Sequence, residues 1–574
     1  MNRRLYPALP GLSSGWIPVW RLEPFWAFSA CWIVVAIMLY SFGSPPAGPA
    51  VFPDEVCRLG WARLLSGVGP HYEMSPGAYC QPYYPLLLAP FQWLTQEPQG
   101  TQRIVFAINT ATAAVCLPLA IRLGIRHFSM NARAAWSAGV AVLAYPSLTL
   151  YSHHALPETI IFAGMLLAFA FWCSWVALPT WRRFFLLLAT SFALYALHRK
   201  MLVLPVMLIG GAAVGCCISK KAEYRTRFLL AALGFVVVLA LDELVKRLVL
   251  SGHFRAGDAG ALDLLAHLGS LENVVQATGR GAGILAYGTL TTGGCIWLAI
   301  AVALEGVRLR SWNRRSRLDC ILTKAAFPVI MVLVLGLVTA LKFVTGERFD
   351  FWFYGRHVDA ALALAMIPAV AVISEKWSNC NILVKALALP FAAFLVLAAT
   401  IQGPPWADFS QVHTVGAGGV MDWLYQAGDR WSLLVYCGLV FLITTFMCLA
   451  NLRGRLRFLA LAPFAVITTM THITSEPFKG VPLNEAIPYS AATVLREARH
   501  CHIYWDARNG GRFRQHQYFR VQYYFPQCSI EIIPANSLAE PGGFVIARRS
   551  YASCQSEVEC HDLHPDLVLY EIVK

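Results

Sequence analysis

The chain has 574 residues, of which 57% are apolar and only 14% charged. A typical soluble domain is about 45–50% apolar and about 25% charged, so a soluble enzyme, a disordered chain and a fibrous protein are excluded. The net charge of +14 does not point to nucleic acid, because membrane proteins collect Lys and Arg in their cytoplasmic loops.

Uncharged runs recur as far as Thr474. They are unbroken rather than alternating, and a membrane-crossing segment must satisfy its own backbone, so they predict helices. The first run, Pro24–Phe42, follows Arg3, Arg4 and Arg21 and lacks a small-residue cleavage site. It reads as a retained span with a cytoplasmic N-terminus. Further runs are Ile104–Ile121, Ala134–Leu150, Thr159–Leu178, Phe184–Leu197, Met201–Ile218, Phe228–Leu241 and Ile284–Leu304. Ala325–Leu341, Ala360–Ile373, Ile382–Ile401, Ser432–Ala450 and Phe458–Thr474 complete the series, giving about thirteen spans.

Alternation from a cytoplasmic start puts Arg122/Arg126/Arg133, Arg182/Arg183, Lys220/Lys221/Arg225/Arg227, Arg308 to Lys324 and Arg453/Arg455/Arg457 inside. That is the positive-inside pattern. The outer face then receives two long loops, residues 43–103 and 246–283, and the polar tail, residues 475–574. The expected organisation is a transmembrane domain over 1–474 and a small extracytoplasmic α/β domain over 475–574.

In the second loop, Leu262, Leu265, Leu268, Leu271 and Val275 share one helical face, as expected of a helix on the membrane surface. Asp54–Leu65 and Tyr83–Leu94 could lie similarly. In the tail, Tyr489–Ala498 reads as a helix. His502–Trp505, Ser529–Ile533, Phe544–Ala547 and Leu567–Ile572 read as short strands. Cys57, Cys80, Cys501, Cys528, Cys554 and Cys560 all fall in outer segments. The simplest disulfide pairs are Cys57–Cys80, Cys501–Cys528 and Cys554–Cys560, although spacing alone does not fix connectivity.

Four ionisable clusters share the outer side: Asp54-Glu55, His153-His154 with Glu158, His198-Arg199-Lys200, and Arg348 to His357. A carboxylate can take a proton from an acceptor hydroxyl. Arg, Lys and His can hold a phosphate and stabilise its charge as it leaves. Each cluster also has a plainer use. Asp54-Glu55 and Pro157-Glu158 suit helix starts, His198-Arg199-Lys200 could snorkel, and Arg348 or Arg356 could pair with Glu347 or Asp350. Cys554, Cys560, His561 and His564, and His500, Cys501 and His502, imitate zinc-ligand spacing, but an oxidising compartment favours disulfides.

The order of these motifs resembles the GT-C superfamily of integral membrane glycosyltransferases. Its relatives include the lipid A aminoarabinose transferase, protein O-mannosyltransferases and mycobacterial arabinofuranosyltransferases. The segment FPDE at Asp54 resembles their first-loop acidic motif, and ALHRKMLVLP at Lys200 their turn between the fifth and sixth spans. An Arg-containing stretch, YGRHVDAALALAMIP, opens a late span. About thirteen spans followed by an outer domain is similar to the aminoarabinose-transferase subgroup. The sequence departs from that subgroup at GVGPHYEMSPGAYCQPYYP, after the acidic pair.

The resemblance implies a polyprenyl-phosphate sugar donor and an acceptor that is a glycan, a lipid or a protein. It implies an enzyme integral to the inner membrane, with its C-terminal domain periplasmic. Asp54 would be the general base or the carboxylate that orients the acceptor, with Glu55 its fallback, and Glu158 a second acidic residue holding sugar, acceptor or a divalent ion. His198, Arg199, Lys200, Arg356 and His357 would hold the donor phosphate. Arg348 would contact substrate. Tyr83, Tyr84 and Tyr354, with Tyr72, Tyr79 and Trp352, could stack on sugar rings, or could form an ordinary aromatic belt. Some relatives need a divalent cation such as Mg or Mn and others do not, and the residues leave that open. Two other readings remain on sequence alone: a secondary transporter or lipid flippase, and an oligosaccharide polymerase or ligase. No clear inverted repeat favours a transporter.

Overall fold

The computed structural model describes residues 25–43, 48, 52–67, 81, 83–95, 97–178, 180–219, 222–250, 266–310, 317–346, 348–374, 380–401, 414–427, 435, 438–439, 442–443, 445–446, 461–473, 487–498, 501–506, 521, 523–525, 527–533, 543–548, 560–564 and 567–571. It is a helical bundle with a small sheet at one end. The first helices in chain order are α1 (Phe25–Phe42), α2 (Phe52–Ser66), α3 (Tyr83–Leu88) and α4 (Pro98–Phe128). Next come α5 (Ala132–Leu143), α6 (Pro146–Tyr151), α7 (Glu158–Ala177), α8 (Trp181–Leu197), α9 (Val203–Ser219) and α10 (Ala222–Leu250). Then follow α11 (Leu271–Thr291), α12 (Cys295–Arg310), α13 (Arg317–Lys342), α14 (Asp359–Ser374), α15 (Cys380–Thr400), α16 (Gly418–Ala427) and α17 (Ala462–Ile473).

Pro98–Phe128, Glu158–Ala177, Arg225–Val245 and Lys324–Lys342 are each long and apolar enough to cross a membrane. α14 is buried on every side except at its last residue, and its Ala-rich sequence lets neighbouring helices close around it. Leu229, Leu233, Val236 and Val237 on α10, in contrast, are exposed, as residues facing lipid would be.

Three expected elements differ. The run Ile284–Leu304 is not one straight span. It breaks between α11 and α12, whose axes meet at 114°. Gly293 and Gly294 adopt φ of 58° and 84°, a region open to Gly at no steric cost, and Thr292 Oγ1 accepts from Ile296 N at 3.1 Å to start the second helix. The run Ala134–Leu150 divides into α5 and α6, with Pro146 opening the second. The loop over 246–283 is shorter than expected, because α10 reaches Leu250 and α11 begins at Leu271. Its described residues form the 3-10 turn His267–Gly269 and the start of α11. Leu262 and Leu265 lie outside the described residues, while Leu268, Leu271 and Val275 are exposed. Most of Ser432–Ala450 also lies outside the described residues.

The tail forms helix α18 (Tyr489–Glu497) and strands β1 (His502–Asp506), β2 (Ser529–Ile533), β3 (Phe544–Arg548), β4 (Cys560–His564) and β5 (Leu567–Glu571). Their order is β2-β1-β3-β5-β4. β1 pairs in parallel with β2 and β3, and β5 antiparallel with β3 and β4. Cys501 and Cys528 form the expected disulfide beside β1 and β2. Cys57 and Cys560 are disulfide-bonded too; Cys80 and Cys554 lie outside the described residues.

The sheet domain shares an apolar core with the bundle. Val56, Leu59, Tyr84, Leu88 and Val105 pack with Ile487, Leu495, Ile503 and Phe525. Tyr523 donates to the Pro98 carbonyl, 3.2 Å away. The domain therefore caps the end of the bundle where α4 begins. At the far end of α4, Lys324 Nζ donates to the His127 carbonyl at 2.6 Å. The 31 residues of α4 separate these ends by ~45 Å.

Candidate functional site

Four segments distant in sequence meet beneath the cap. Asp54 lies in the first turn of α2. Glu158 is the first residue of α7, after Pro157 at its N-cap. Lys200 lies in the 3-10 turn Arg199–Leu202, which joins α8 to α9. Arg356 lies in the turn leading into α14. The plain reading of the acidic residues as helix starters is thus correct, and it coincides with their meeting in one place.

Arg356 is the centre. Its Nη1 donates to Asp54 Oδ2 at 2.5 Å and its Nε to Glu158 Oε1 at 2.7 Å. Lys200 Nζ is 3.6 Å from the same Glu158 oxygen and donates to the Arg356 carbonyl at 3.3 Å. Arg58, one turn along α2, donates to the Asp54 carbonyl at 3.0 Å. The Arg356 and Glu158 side chains are 5% and 2% exposed, whereas Asp54 is 37% exposed. Asp54 is thus the wet edge of a buried cluster. Arg356 Nη2 and Glu158 Oε2 are buried with no hydrogen-bond partner. Buried polar groups are ordinarily paired, so these two atoms are open valences in the middle of the site.

Burial resists ionisation of Asp54, but the Arg356 and Arg58 guanidiniums overcome it and hold the carboxyl down at about 2. Burial lowers Lys200 to about 8, with Glu158 opposing the shift and Arg356 reinforcing it. Burial, then Lys200, also push His198 well below the usual imidazole range. His357 is lowered by burial, Lys200 and Lys342. Both imidazoles are therefore neutral at pH 7. His198 Nδ1 accepts from Lys200 N at 3.2 Å, which leaves its Nε2 to carry the proton and donate. His357 Nδ1 meets Thr339 Oγ1 at 3.0 Å, and its ring lies 4.6 Å from that of Tyr354.

Other candidates sit apart from this centre. Glu55 is fully buried; its Oε1 accepts from Ala155 N at 2.9 Å, with His154 Nδ1 3.4 Å away. It fastens α2 to the connection before α7. Arg199 turns from Lys200 towards Asp242, with Nη2 to Oδ2 at 3.7 Å. Arg348 forms a two-pronged pair with Asp350 at 3.1 and 3.2 Å, the structural ion pair allowed by its sequence. Tyr84 is buried and donates to Asn109 Oδ1 at 3.4 Å. Tyr83 opens α3 and is partly exposed. Tyr354 stacks on Phe343 at 4.6 Å, and Trp352 lies against Arg280 at 5.0 Å. Tyr72, Tyr79, Glu347, His500 and Cys554 lie outside the described residues.

The zinc-like spacings are not metal centres as written. Cys501 is in a disulfide with Cys528, and Cys560 is disulfide-bonded. His502 contacts Ser529 and Glu531. No group of three or more His, Cys, Asp and Glu gathers among the described residues. Between Asp54 and Glu158, where a divalent ion would need both carboxylates, Arg356 already bridges them. The donor set as arranged suits a guanidinium.

Sequence reasoning missed Arg58, Tyr145, Tyr287 and Asp359. The two tyrosine hydroxyls donate to Asp359 Oδ1 at 3.1 and 2.9 Å. Asp359 was visible as a carboxylate three residues after Arg356, at the start of an apolar run, but the tyrosines are ordinary aromatic residues within runs and carry no signal.

No protein-family model and no curated protein sequence matches the chain. Solved structures do. ArnT from Cupriavidus metallidurans bound to undecaprenyl phosphate superposes with a TM-score of 0.50 at 13% identity, over 95% of this chain and 97% of that one. The arabinosyltransferase EmbB from Mycobacterium smegmatis gives 0.37 at 13% identity, over 82% of this chain and 44% of its own. The oligosaccharyltransferase AglB from Archaeoglobus fulgidus gives 0.40 at 14% identity, over 91% and 62%. Only the first is near enough to fix an architecture. The chain shares the fold of that structure, and four of its helices are long and apolar enough to cross a membrane. The superposition covers nearly all of this chain's helical bundle and small C-terminal domain.

Proposed function

We propose that the chain is a membrane glycosyltransferase that moves a sugar from a polyprenyl-phosphate donor to a glycan, lipid or protein acceptor at the outer face of the inner membrane. Residues 1–474 would be the catalytic membrane domain, with a cytoplasmic N-terminus, and 475–574 a periplasmic cap. The observation that carries the reading is the Arg356 bridge: one buried guanidinium spans Asp54 and Glu158, with Lys200 beside it and Arg356 Nη2 open. The undecaprenyl phosphate of the ArnT structure supports the class of donor.

The donor phosphate takes Arg356 Nη2 and Lys200 Nζ, with His198 Nε2–H in reach of the same turn. Phosphate pairs well with a guanidinium fork. The acceptor hydroxyl oxygen attacks the anomeric carbon, and the bond from that carbon to the phosphate oxygen breaks. The electron pair leaves with the polyprenyl phosphate, whose growing charge Arg356 and Lys200 stabilise. The acceptor proton passes to Asp54, the carboxylate that reaches water. An Asp54 held near 2 by Arg356 is a weak base. A phosphate on Arg356 Nη2 offsets part of the guanidinium charge and so raises the basicity of Asp54 while Arg356 stays in place. Glu158 keeps Arg356 and Lys200 anchored from the buried side.

The test is transfer of sugar from a defined polyprenyl-phosphate donor by folded, detergent-purified protein. Asp54→Asn should lower the rate about 10²–10⁴-fold. Arg314→Ala, in the basic stretch Arg308 to Lys324 and outside the four clusters, should leave it within about twofold. Full activity in well-folded Asp54→Asn would remove Asp54 as the base. Full activity in Asp54→Asn, Glu158→Gln and Arg356→Ala alike would remove the site and the function with it.

A further inference from the structure

We infer that Tyr287, acting with Asp359, is a positioning residue that sets the guanidinium of Arg356. This rests on the reading of Arg356 as the donor-phosphate ligand and adds what holds that ligand in place. Arg356 must meet carboxylates from α2 and α7 at once. It sits on a short turn, and sites of this kind work only when held to about half an ångström by their supporting groups.

Tyr287, on α11, touches that turn on both sides of Arg356. Its ring packs so closely on Gly355 that a Cβ there would collide with ring atoms and the hydroxyl. Gly355 is therefore required by the tyrosine and not by backbone strain. Its hydroxyl donates to Asp359 Oδ1 at 2.9 Å and accepts from Gly416 N at 2.9 Å. The same hydroxyl thus donates its one proton and accepts on a lone pair. The Gly355 carbonyl accepts from Val358 N at 2.8 Å and Asp359 N at 3.0 Å, which closes the turn. Tyr145 braces Asp359 from the other side, 3.1 Å from Oδ1 and 3.0 Å from Thr291 Oγ1. Tyr145, Tyr287 and Asp359 are all fully buried. The Gly416 carbonyl in turn accepts from Thr471 Oγ1 at 3.3 Å. A continuous path thus runs from α17 through Gly416 and Tyr287 to the turn that presents Arg356.

A purely structural tyrosine would lower stability when changed but would not discriminate between substrates. A positioning tyrosine should affect the donor selectively. Tyr287→Phe keeps the ring against Gly355 and removes only the hydroxyl. Loss of one buried hydrogen-bonding group should raise the donor KM about tenfold and leave the acceptor KM within about twofold. Asp359→Asn retains a carbonyl oxygen for both tyrosines and should recover near-normal donor KM, whereas Asp359→Leu should not. Binding of undecaprenyl phosphate itself, followed by tryptophan fluorescence, should weaken in parallel. The inference is overturned if folded Tyr287→Phe has normal donor KM, or if donor and acceptor KM shift equally. If Tyr287→Phe does not fold, the Asp359→Asn and Asp359→Leu pair decides it by the same donor measurement. If Arg356→Ala leaves undecaprenyl phosphate binding unchanged, the reading of the site has failed. If Arg356→Ala weakens it and Tyr287→Phe does not, this inference alone has failed.

Discussion

Replacing Arg356 by Ala removes the guanidinium that touches both carboxylates, and the structure shows where the cost will fall. Asp54 loses a contact at 2.5 Å but is 37% exposed, so water takes much of that place. Glu158 loses a contact at 2.7 Å and is only 2% exposed. It keeps Lys200, but at 3.6 Å. Leaving a buried charge short of its partner typically costs about 3–5 kcal/mol. Retained Lys200 puts the expected loss near ~3 kcal/mol, nearly all of it on Glu158. The second substitution Glu158→Gln removes the stranded charge and should restore part of the loss. Arg356→Ala/Glu158→Gln should therefore unfold at a higher temperature than Arg356→Ala, although it carries one more change. Thermal unfolding of the four proteins in one detergent, as a double-mutant cycle, reads the coupling directly. Additive losses, or a double variant less stable than Arg356→Ala, would refute the claim that these residues form one buried ion network. Transfer activity does not enter this test, so it stands apart from the proposed function.

Other outcomes follow from the same geometry. Lys200 is depressed to about 8, so the free enzyme loses this cation as pH rises through that value. Donor kcat/KM should fall above about pH 8, while kcat, which reports the donor-bound enzyme, falls later; a flat donor kcat/KM up to pH 10 would refute it. Arg199 faces Asp242 at 3.7 Å with its own side chain one-third exposed, so Arg199→Ala should change the donor KM far less than Arg356→Ala does. A drop matching that of Arg356→Ala would restore Arg199 to the phosphate site. Glu55→Ala strands the Ala155 N–H and should cost about 1–3 kcal/mol in thermal stability, with a secondary loss of activity through its neighbour Asp54. Cys501→Ser with Cys528→Ser should destabilise the cap by about 2–5 kcal/mol, seen as earlier proteolysis of the tail while the membrane helices persist.

The sequence made the tail legible almost strand by strand, because β1, β2, β3 and β5 are apolar runs with clear ends. It missed β4. That strand, Cys560–His564, reads CHDLH and lies at the edge of the sheet, hydrogen-bonded on one side only to β5. An edge strand carries little of the core, so its residues need not be apolar, and the same polar letters suggested metal ligands instead. The bend between α11 and α12 escaped for a related reason. Uncharged composition reports solubility in lipid and says nothing about direction, and the two consecutive glycines at 293–294 were the only mark of a turn.

The site itself was legible as chemistry and not as geometry. Asp54, Glu158, Lys200 and Arg356 could be singled out because ionisable residues are expensive near a bilayer, and all four meet. Which cation would stand between the carboxylates could not be read. Arg199 and Lys200 are adjacent, yet the 3-10 turn sends one to Asp242 and the other to Glu158. Arg348 and Arg356 belong to one loop, yet the first is satisfied two residues away by Asp350. A local carboxylate is cheaper to reach than a distant one, so Arg348 is satisfied at home. The nearest carboxylate after Arg356, Asp359, is taken instead by two tyrosine hydroxyls. The Arg356 guanidinium reaches instead to Asp54 on α2 and Glu158 on α7. Tyr145 and Tyr287, which hold Asp359 Oδ1 beside that turn, are two aromatic side chains whose place appears only when the helices are packed together.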